Sequence, residues 1–371
     1  MRPPGPVFGI RAVHGFGAGT RAGRSCRLSR MSRKRKEGED LLGGLKGRSL
    51  LSLYDLSDAE MLAFIDLAVE LKRRKRAGLR GDLLNRMHIA LVFEKASTRT
   101  LCAAAVAAAD EGGTAEYLSS EQIHLGKKES VADTARVLGR MFDGIMFRGY
   151  AQATVVLLAR HAGVPVWNGL TDDEHPTQAL ADLMTVRECF GRLKGLRMAY
   201  VGDGRNNVAT SLMQSCAMAG IDFVNVTPPE LIPADAVVRR AAKVASRRGA
   251  SIRIAHDPVR GVRGANVVCT DVWTSMGEES KFNERVRLLR PYQVNAALLR
   301  ATGNLASGRV IFLHCLPAFH DDQTDLTRRT GALEVTDEVF EAPYSKVFDE
   351  AENRVHTTKA LYVAALRGAY P

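Results

Sequence analysis

From residue 45 onward, short apolar runs alternate with longer stretches of helical spacing, and this alternation limits the fold more than any other feature. Strand-length runs fall at 87–93, 143–148, 164–167, 197–202, 221–226, 251–255, 265–270 and 309–314. Helix-length stretches lie among them at 56–76, 98–111, 130–141, 152–162, 175–190, 206–219 and 234–247, with a last one at 350–368. Strands that alternate with helices pair in parallel, because each crossover lays a helix on a face of the sheet. The pattern therefore predicts an α/β chain: two doubly wound parallel-sheet domains joined by interdomain helices. The run Gly191-Arg192-Leu193-Lys194-Gly195 reads as the hinge. The expected divisions are an extension over 1–44, a first domain over 45–190, a second over 191–345, and a closing segment over 346–371 that packs back on the first domain. The length is ample for two cores.

The net charge of +11 is concentrated at one end. Residues 1–36 hold eight Arg and two Lys with no Asp or Glu, so the remainder carries 42 basic against 41 acidic residues. The high pI thus describes a tail rich in Gly, Pro, Arg and Ser, not a nucleic-acid-binding surface. With no sustained apolar period, the tail is expected to be disordered. It lacks the apolar core of a secretory signal; its composition resembles an organelle transit peptide, and the favoured reading is an upstream extension before a start at Met31. No apolar run approaches the roughly 20 residues that span a bilayer. Six cysteines without a CxxC pair argue against a structural zinc site and suit a reducing compartment. The expectation is a cytoplasmic protein without cofactor, metal, nucleic-acid or membrane partner.

Polar clusters follow the predicted strands, where doubly wound sheets bind ligands. Ile89-Ala90-Leu91-Val92-Phe93 leads to Ser97-Thr98-Arg99-Thr100 and an Ala-rich helix. Unpaired N–H groups at a helix start, hydroxyl donors and a planar guanidinium together suit a phosphate. Ser and Thr also serve as ordinary helix caps, so the turn alone leaves both readings open. Arg148 ends a strand, and Glu174-His175-Pro176-Thr177-Gln178 opens a helix with His175 and Gln178 on one face. Gly202-Asp203-Gly204-Arg205-Asn206-Asn207 departs from a dinucleotide fingerprint at Asn207, and its two Asn suit a carboxylate or amide ligand. Asp271-Val272-Trp273-Thr274-Ser275-Met276-Gly277 places an acid where a ligand ammonium could pair. His314-Cys315-Leu316-Pro317-Ala318 ends the last strand. Singly, Arg148 could be a surface ion pair, His175 a cap and Cys315 a buried spectator.

In this order the motifs resemble the transcarbamylase family, the aspartate/ornithine carbamoyltransferases, and its ornithine-using branch above the aspartate-using one. Ser97–Thr100, Arg148 and His175–Gln178 carry the half shared across the family, and Asp271–Gly277 with His314–Ala318 the ornithine version. The likeness runs from about Leu45 to the C-terminus and includes Ala351-Glu352-Asn353-Arg354-Val355-His356. It implies that carbamoyl phosphate and L-ornithine give citrulline and phosphate, with the first domain binding carbamoyl phosphate and the second ornithine. It assigns carbamoyl phosphate to Ser97, Thr98, Arg99, Thr100, Gln122, His124, Arg148, His175, Gln178 and Arg354. Ornithine falls to Asn207, Asp271, Ser275, Met276, Cys315 and Leu316, and catalysis to Arg148, His175, Cys315 and Arg354. It further implies a homotrimer with shared sites, Gln122 and His124 coming from a neighbour. Other readings are a transcarbamylase for putrescine or an acylated ornithine, or an impaired paralogue serving as an interaction module.

One stretch departs from the family pattern. Leu101 stands where a second Arg is usual, and Ala104 and Ala105 where Phe and Glu are usual. Positions 101 and 105 face each other on a helix, so an ion pair is lost as a unit. Ala104 is expected to leave a void.

Overall fold

The computed structural model describes residues 38–368 apart from 80, 124, 127 and 275–278. The basic tail through residue 37 and the candidates His124, Ser275 and Met276 lie outside the described residues. The first half runs α1 (Asp58–Arg76), β1 (His88–Phe93), α2 (Thr98–Ala109), β2 (Thr114–Ser119), α3 (Val131–Met141), β3 (Gly144–Arg148), α4 (Gln152–Ala162), β4 (Val166–Leu170) and α5 (Pro176–Phe190). The second runs β5 (Arg197–Val201), α6 (Asn207–Ala219), β6 (Asp222–Val226), α7 (Asp235–Arg248), β7 (Ile252–Ala255), β8 (Val267–Thr270) and β9 (Ile311–His314). Short helical turns intervene, and α8 (Val347–Arg367) closes the described chain.

The strands form two sheets, β2-β1-β3-β4 and β7-β6-β5-β8-β9, in which every pairing is parallel. The fold is thus the α/β arrangement of two doubly wound sheets that the alternation predicts. Strands covered on both faces need continuous apolar sequence, and β1, β3, β5 and β8 have it. Neighbouring strands also crowd each other: a Cβ on Gly144 of β3 would sit 2.3 Å from the ring of Trp167 on β4, so only glycine fits there. Between Arg187 and Arg197 the chain crosses from one sheet to the other, and the left-handed Gly191 and Gly195 (φ 69° and 77°) supply turns that L side chains resist.

One apolar cluster runs through both halves, from Phe64 and Phe93 through Leu180 and Met184 to Tyr200, Leu212 and Leu313. Its middle is α5, buried from Pro176 to Val186, flanked by α6 and by α8. α8 packs on α1, α2 and α5 and also reaches β9. The two halves therefore share a core on this side, while α3 and α4 cover the other face of the first sheet. Among the described residues no helix is long and apolar enough to cross a membrane.

The structure corrects two expectations. Residues 38–43 are helical rather than part of a disordered extension over 1–44; Leu42 is fully buried and the Gly47 N–H donates to the Ala365 carbonyl at 2.7 Å. An apolar side chain with room against α8 has no reason to stay in water. The second is β2, absent from the sequence reading. It pairs only with β1 at the sheet edge and none of its residues is buried, so Thr114-Ala115-Glu116-Tyr117-Leu118-Ser119 never needed an apolar run.

Candidate active site

Each candidate segment leaves the carboxyl end of a strand. After β1, the Ser97 Oγ accepts the Thr100 N–H at 3.2 Å and caps α2. This is the ordinary helix start, but it also fixes Arg99 and Thr100 in the first turn. Thr98 is exposed, Arg99 half-buried and Thr100 buried. After β3 and β4, Arg148 and His175 are buried at the mouth of the sheet, and Gln178 lies one turn into α5. α8 brings Arg354 to the same place from far along the chain.

Arg354 holds this cluster together. Its Nη1 donates to Gln178 Oε1 at 2.6 Å, and its Nη2 to Thr100 Oγ1 and Thr177 Oγ1, both at 3.3 Å. Arg148 Nη1 lies 3.5 Å from the same Thr100 hydroxyl. Burial lowers both guanidinium pKa values to about 10, with Arg354 adding repulsion at Arg148, so both stay charged near neutrality. The Nε atoms of both are buried without a hydrogen-bond partner. Two buried cations with spare donors suit an anion. His175 answers to the same field: burial, then the charges of Arg354, Arg148 and Arg99, hold its pKa well below the usual value. It is a neutral imidazole, with Nδ1 3.5 Å from Thr177 Oγ1, while the backbone N–H of His175 donates to Ser211 Oγ at 2.8 Å.

The second sheet presents a contrasting group. Asp271 Oδ1 accepts from the Cys315 thiol at 3.1 Å and the Val272 N–H at 2.8 Å, while Oδ2 accepts from Asn206 Nδ2 at 3.1 Å. Burial, then the Asp271 charge, pushes the Cys315 thiol well up, so it is a protonated donor and not a thiolate nucleophile. Burial also raises Asp271, against the pull of His314. Leu316 carries φ 61°, a strained left-handed backbone, with its N–H donating to His314 Nδ1 at 2.9 Å. Asp271, His314 and Cys315 lie close enough to suggest a metal site, but His314 Nδ1 serves Leu316 and Nε2 faces Glu334 Oε1 at 3.3 Å. With both ring nitrogens engaged, the trio is not an open ligand set. The two groups sense each other, since burial lowers the Arg99 pKa and the Asp271 charge partly restores it.

The structure thus brings together Thr100, Arg148, His175, Gln178 and Arg354 on one side, and Asp271 and Cys315 on the other. It does not bring in two other candidates. The asparagine bonded to Asp271 is Asn206; Asn207 donates to the Thr171 carbonyl at 2.6 Å instead. Asn206 Oδ1 caps α6 by accepting the Ala209 N–H at 2.7 Å, which fixes its amide toward Asp271. Gln122 is exposed, and its Oε1 accepts from the Ser119 N–H of its own loop at 2.9 Å. Sequence reasoning also missed Asn206 and Thr177. A helix-cap Asn and a hydroxyl beside His175 were the available signals, both too common to single out.

Comparison with known proteins identifies the family. The family model described as "Aspartate/ornithine carbamoyltransferase, carbamoyl-P binding domain" matches residues 48–188, and that for the "Asp/Orn binding domain" matches 194–365. A catabolic ornithine carbamoyltransferase of Bacillus licheniformis is 54% identical over 328 residues, covering 87% of this chain and 97% of that protein. One from Enterococcus faecalis is 52% identical over 327 residues, covering 86% and 96%. The ornithine carbamoyltransferase structure from Pyrococcus furiosus superposes with a TM-score of 0.79 at 42% identity, covering 87% of this chain and 98% of that one. The chain belongs to the aspartate/ornithine carbamoyltransferase family.

Proposed function

We propose that this protein is an ornithine carbamoyltransferase, transferring the carbamoyl group of carbamoyl phosphate to the δ-amine of L-ornithine to give citrulline and phosphate. The observation that carries the reading is the buried, donor-rich Arg148–Thr100–Arg354 group facing the Asp271–Cys315 pair across the two sheets. One side suits an anion with a carbonyl, the other an amino acid. The names of the relatives support the same substrates.

In this reading Ser97, Thr98, Arg99 and Thr100 hold the phosphate, and Arg148, His175, Gln178 and Arg354 surround the carbamoyl group. The δ-amine attacks the carbonyl carbon, a C–N bond forms, the C–O bond to phosphate breaks, and the amine proton leaves with the phosphate. Negative charge builds on the carbonyl oxygen, and preorganised donors there lower the barrier. A neutral His175 serves as a hydrogen-bonding partner, since its depressed pKa leaves no proton to spare. Asp271, held by Asn206 in place of the expected Asn207, pairs with the ornithine ammonium, and Ser275, Met276, Cys315 and Leu316 are the other residues assigned to ornithine. No residue needs to form a covalent intermediate, because holding two substrates in line supplies much of the acceleration.

The division into a carbamoyl phosphate domain over 45–190, an ornithine domain over 191–345 and a returning segment over 346–371 belongs to this reading, with its first boundary moved ahead of Leu42. So do a cytoplasmic location and a homotrimer with Gln122 and His124 serving a neighbour's site. The outward position of Gln122 and the exposed Val106, Val137, Met141, Val156 and Leu157 on α2, α3 and α4 support a partner surface on the first half.

The test is Arg99→Ala. Losing a charge-assisted phosphate contact costs about 2–3 kcal/mol, so carbamoyl phosphate affinity should fall roughly 30- to 150-fold. Unchanged affinity refutes the phosphate assignment. Refolding Arg99→Ala together with His124→Ala should restore some activity through hybrid sites; no recovery refutes the sharing.

A further inference from the structure

Behind the cluster, α5 and α8 meet in a buried group for which the transfer chemistry gives no role. Gln178 Nε2 donates both of its hydrogens, to Glu350 Oε1 at 2.6 Å and to Asp182 Oδ1 at 2.8 Å. Its Oε1 accepts from Arg354. The other Glu350 oxygen accepts the backbone N–H of His314 at 2.9 Å, immediately before Cys315. One carboxyl therefore touches α5 of the first half and the end of β9 of the second, and it sits one helical turn before Arg354. Glu350, Asp182, Gln178 and Arg354 are all at most 3% exposed. Burial, then the Asp182 charge, raises Glu350 well above the usual carboxyl range, and burial raises Asp182 as well. The pair keeps a proton between them instead of carrying two buried negative charges.

The two ends of an amide have nearly the same shape and opposite chemistry, so only the surrounding network fixes which way it points. Reversed, the Gln178 amide would turn its NH2 on the Arg354 guanidinium, donor against donor. Arg354 would then lose its shortest contact and shift from Thr100 and Thr177. We infer that Glu350 is a positioning residue for the transfer reaction: it fixes the Gln178 amide with its oxygen toward Arg354, and ties that orientation to the strand end carrying Cys315. The inference rests on the proposed assignment of Gln178 and Arg354 to the carbamoyl group.

Glu350→Gln tests it, because glutamine keeps the volume but offers one acceptor to two donors. The full chain is followed by calorimetry with carbamoyl phosphate, by steady-state kinetics and by thermal melting, in a double-mutant cycle with Gln178→Ala. The expected result is a kcat lowered about tenfold or more and carbamoyl phosphate binding weakened several-fold, with the melting temperature little changed. Once Gln178 is removed, Glu350→Gln should cost almost nothing further, since its effect passes through that amide. Wild-type kcat and affinity in Glu350→Gln, or losses that simply multiply in the double variant, overturn the inference. If Glu350→Gln does not fold, Glu350→Asp enters the same cycle with the same expectation; it keeps the carboxyl group and withdraws both oxygens by one methylene. Arg99→Ala run alongside separates the two claims: if it binds carbamoyl phosphate normally, the site assignment has failed, whereas weak binding there with an unaffected Glu350→Gln removes only the positioning role.

Discussion

Replacing Asp271 by Asn changes one atom and should separate the two substrates. The carboxylate accepts from three donors: the Val272 N–H and Cys315 thiol at Oδ1, and Asn206 Nδ2 at Oδ2. An asparagine must put its NH2 at one of these places. At the Oδ2 position it meets Asn206 Nδ2, which cannot turn away because Asn206 Oδ1 caps α6 and Nδ2 also donates to the Tyr200 hydroxyl at 2.7 Å. At the Oδ1 position it meets two donors at once. Either arrangement strands a buried donor at a cost of about 1–3 kcal/mol, and the charge that pairs with the ornithine ammonium is gone as well, worth about 1.5–3 kcal/mol. These overlap, so a combined loss of about 2–4 kcal/mol is expected, a thirty- to several-hundredfold weaker use of ornithine. Carbamoyl phosphate contacts none of these atoms in the proposed arrangement, and its affinity should stay within about threefold. Steady-state titration of ornithine and calorimetry with carbamoyl phosphate measure the two separately. Equal losses for both, or an unchanged response to ornithine, would refute the reasoning.

Three further outcomes follow from the packing and the charges. Leu42→Ala removes a fully buried side chain and should cost about 2–5 kcal/mol; a chain beginning at Leu45 that melts like the full one would show that the segment adds nothing. Ala104 is 1% exposed and packs in one core with Ala107, Ala108 and the α8 residues Ala360 and Ala364, so Ala104→Phe should lower the melting temperature by overpacking, about 1–3 kcal/mol; a rise would reveal the void expected from the family pattern. At Asp110, burial opposes the charge, but Lys359 at 2.8 Å and Lys75 at 2.7 Å hold the carboxylate below its usual range. A depressed folded pKa stabilises above the unfolded value and is lost as pH falls through the folded one. Asp110→Asn should therefore melt lower than wild type near neutrality, and the gap should close below about pH 4; a gap independent of pH would contradict this.

The sheets were legible because buried parallel strands need continuous apolar runs, and all eight runs in the sequence correspond to strands. β2 was not, since an edge strand with half-exposed faces keeps Thr114, Glu116 and Ser119 among its apolar residues. The phosphate turn, Arg148 and the His175 helix start were legible because strand ends carry function in this architecture. What escaped notice comes from long-range packing. Asn206 and Asn207 are adjacent, and only the α6 cap decides which one reaches Asp271. Glu350 lies on the helix α8, 172 residues from the Gln178 it orients, in a segment whose local sequence signals nothing beyond a helix. Ala104 shows the same limit: the space left by an absent Phe depends on residues far along the chain, since Ala360 and Ala364 of α8 belong to the same core.

The central claim is that the Asp271 pocket receives a free amino acid while the arginine cluster presents a carbamoyl group to its δ-amine. Product formation from carbamoyl phosphate with ornithine, putrescine, N-acetylornithine and aspartate, compared side by side, tests it most directly. Citrulline from ornithine is expected with the highest kcat/KM by orders of magnitude, and little product from amines lacking the α-ammonium or α-carboxylate. Equal or faster carbamoylation of putrescine or acetylornithine, or no turnover with ornithine, would contradict it.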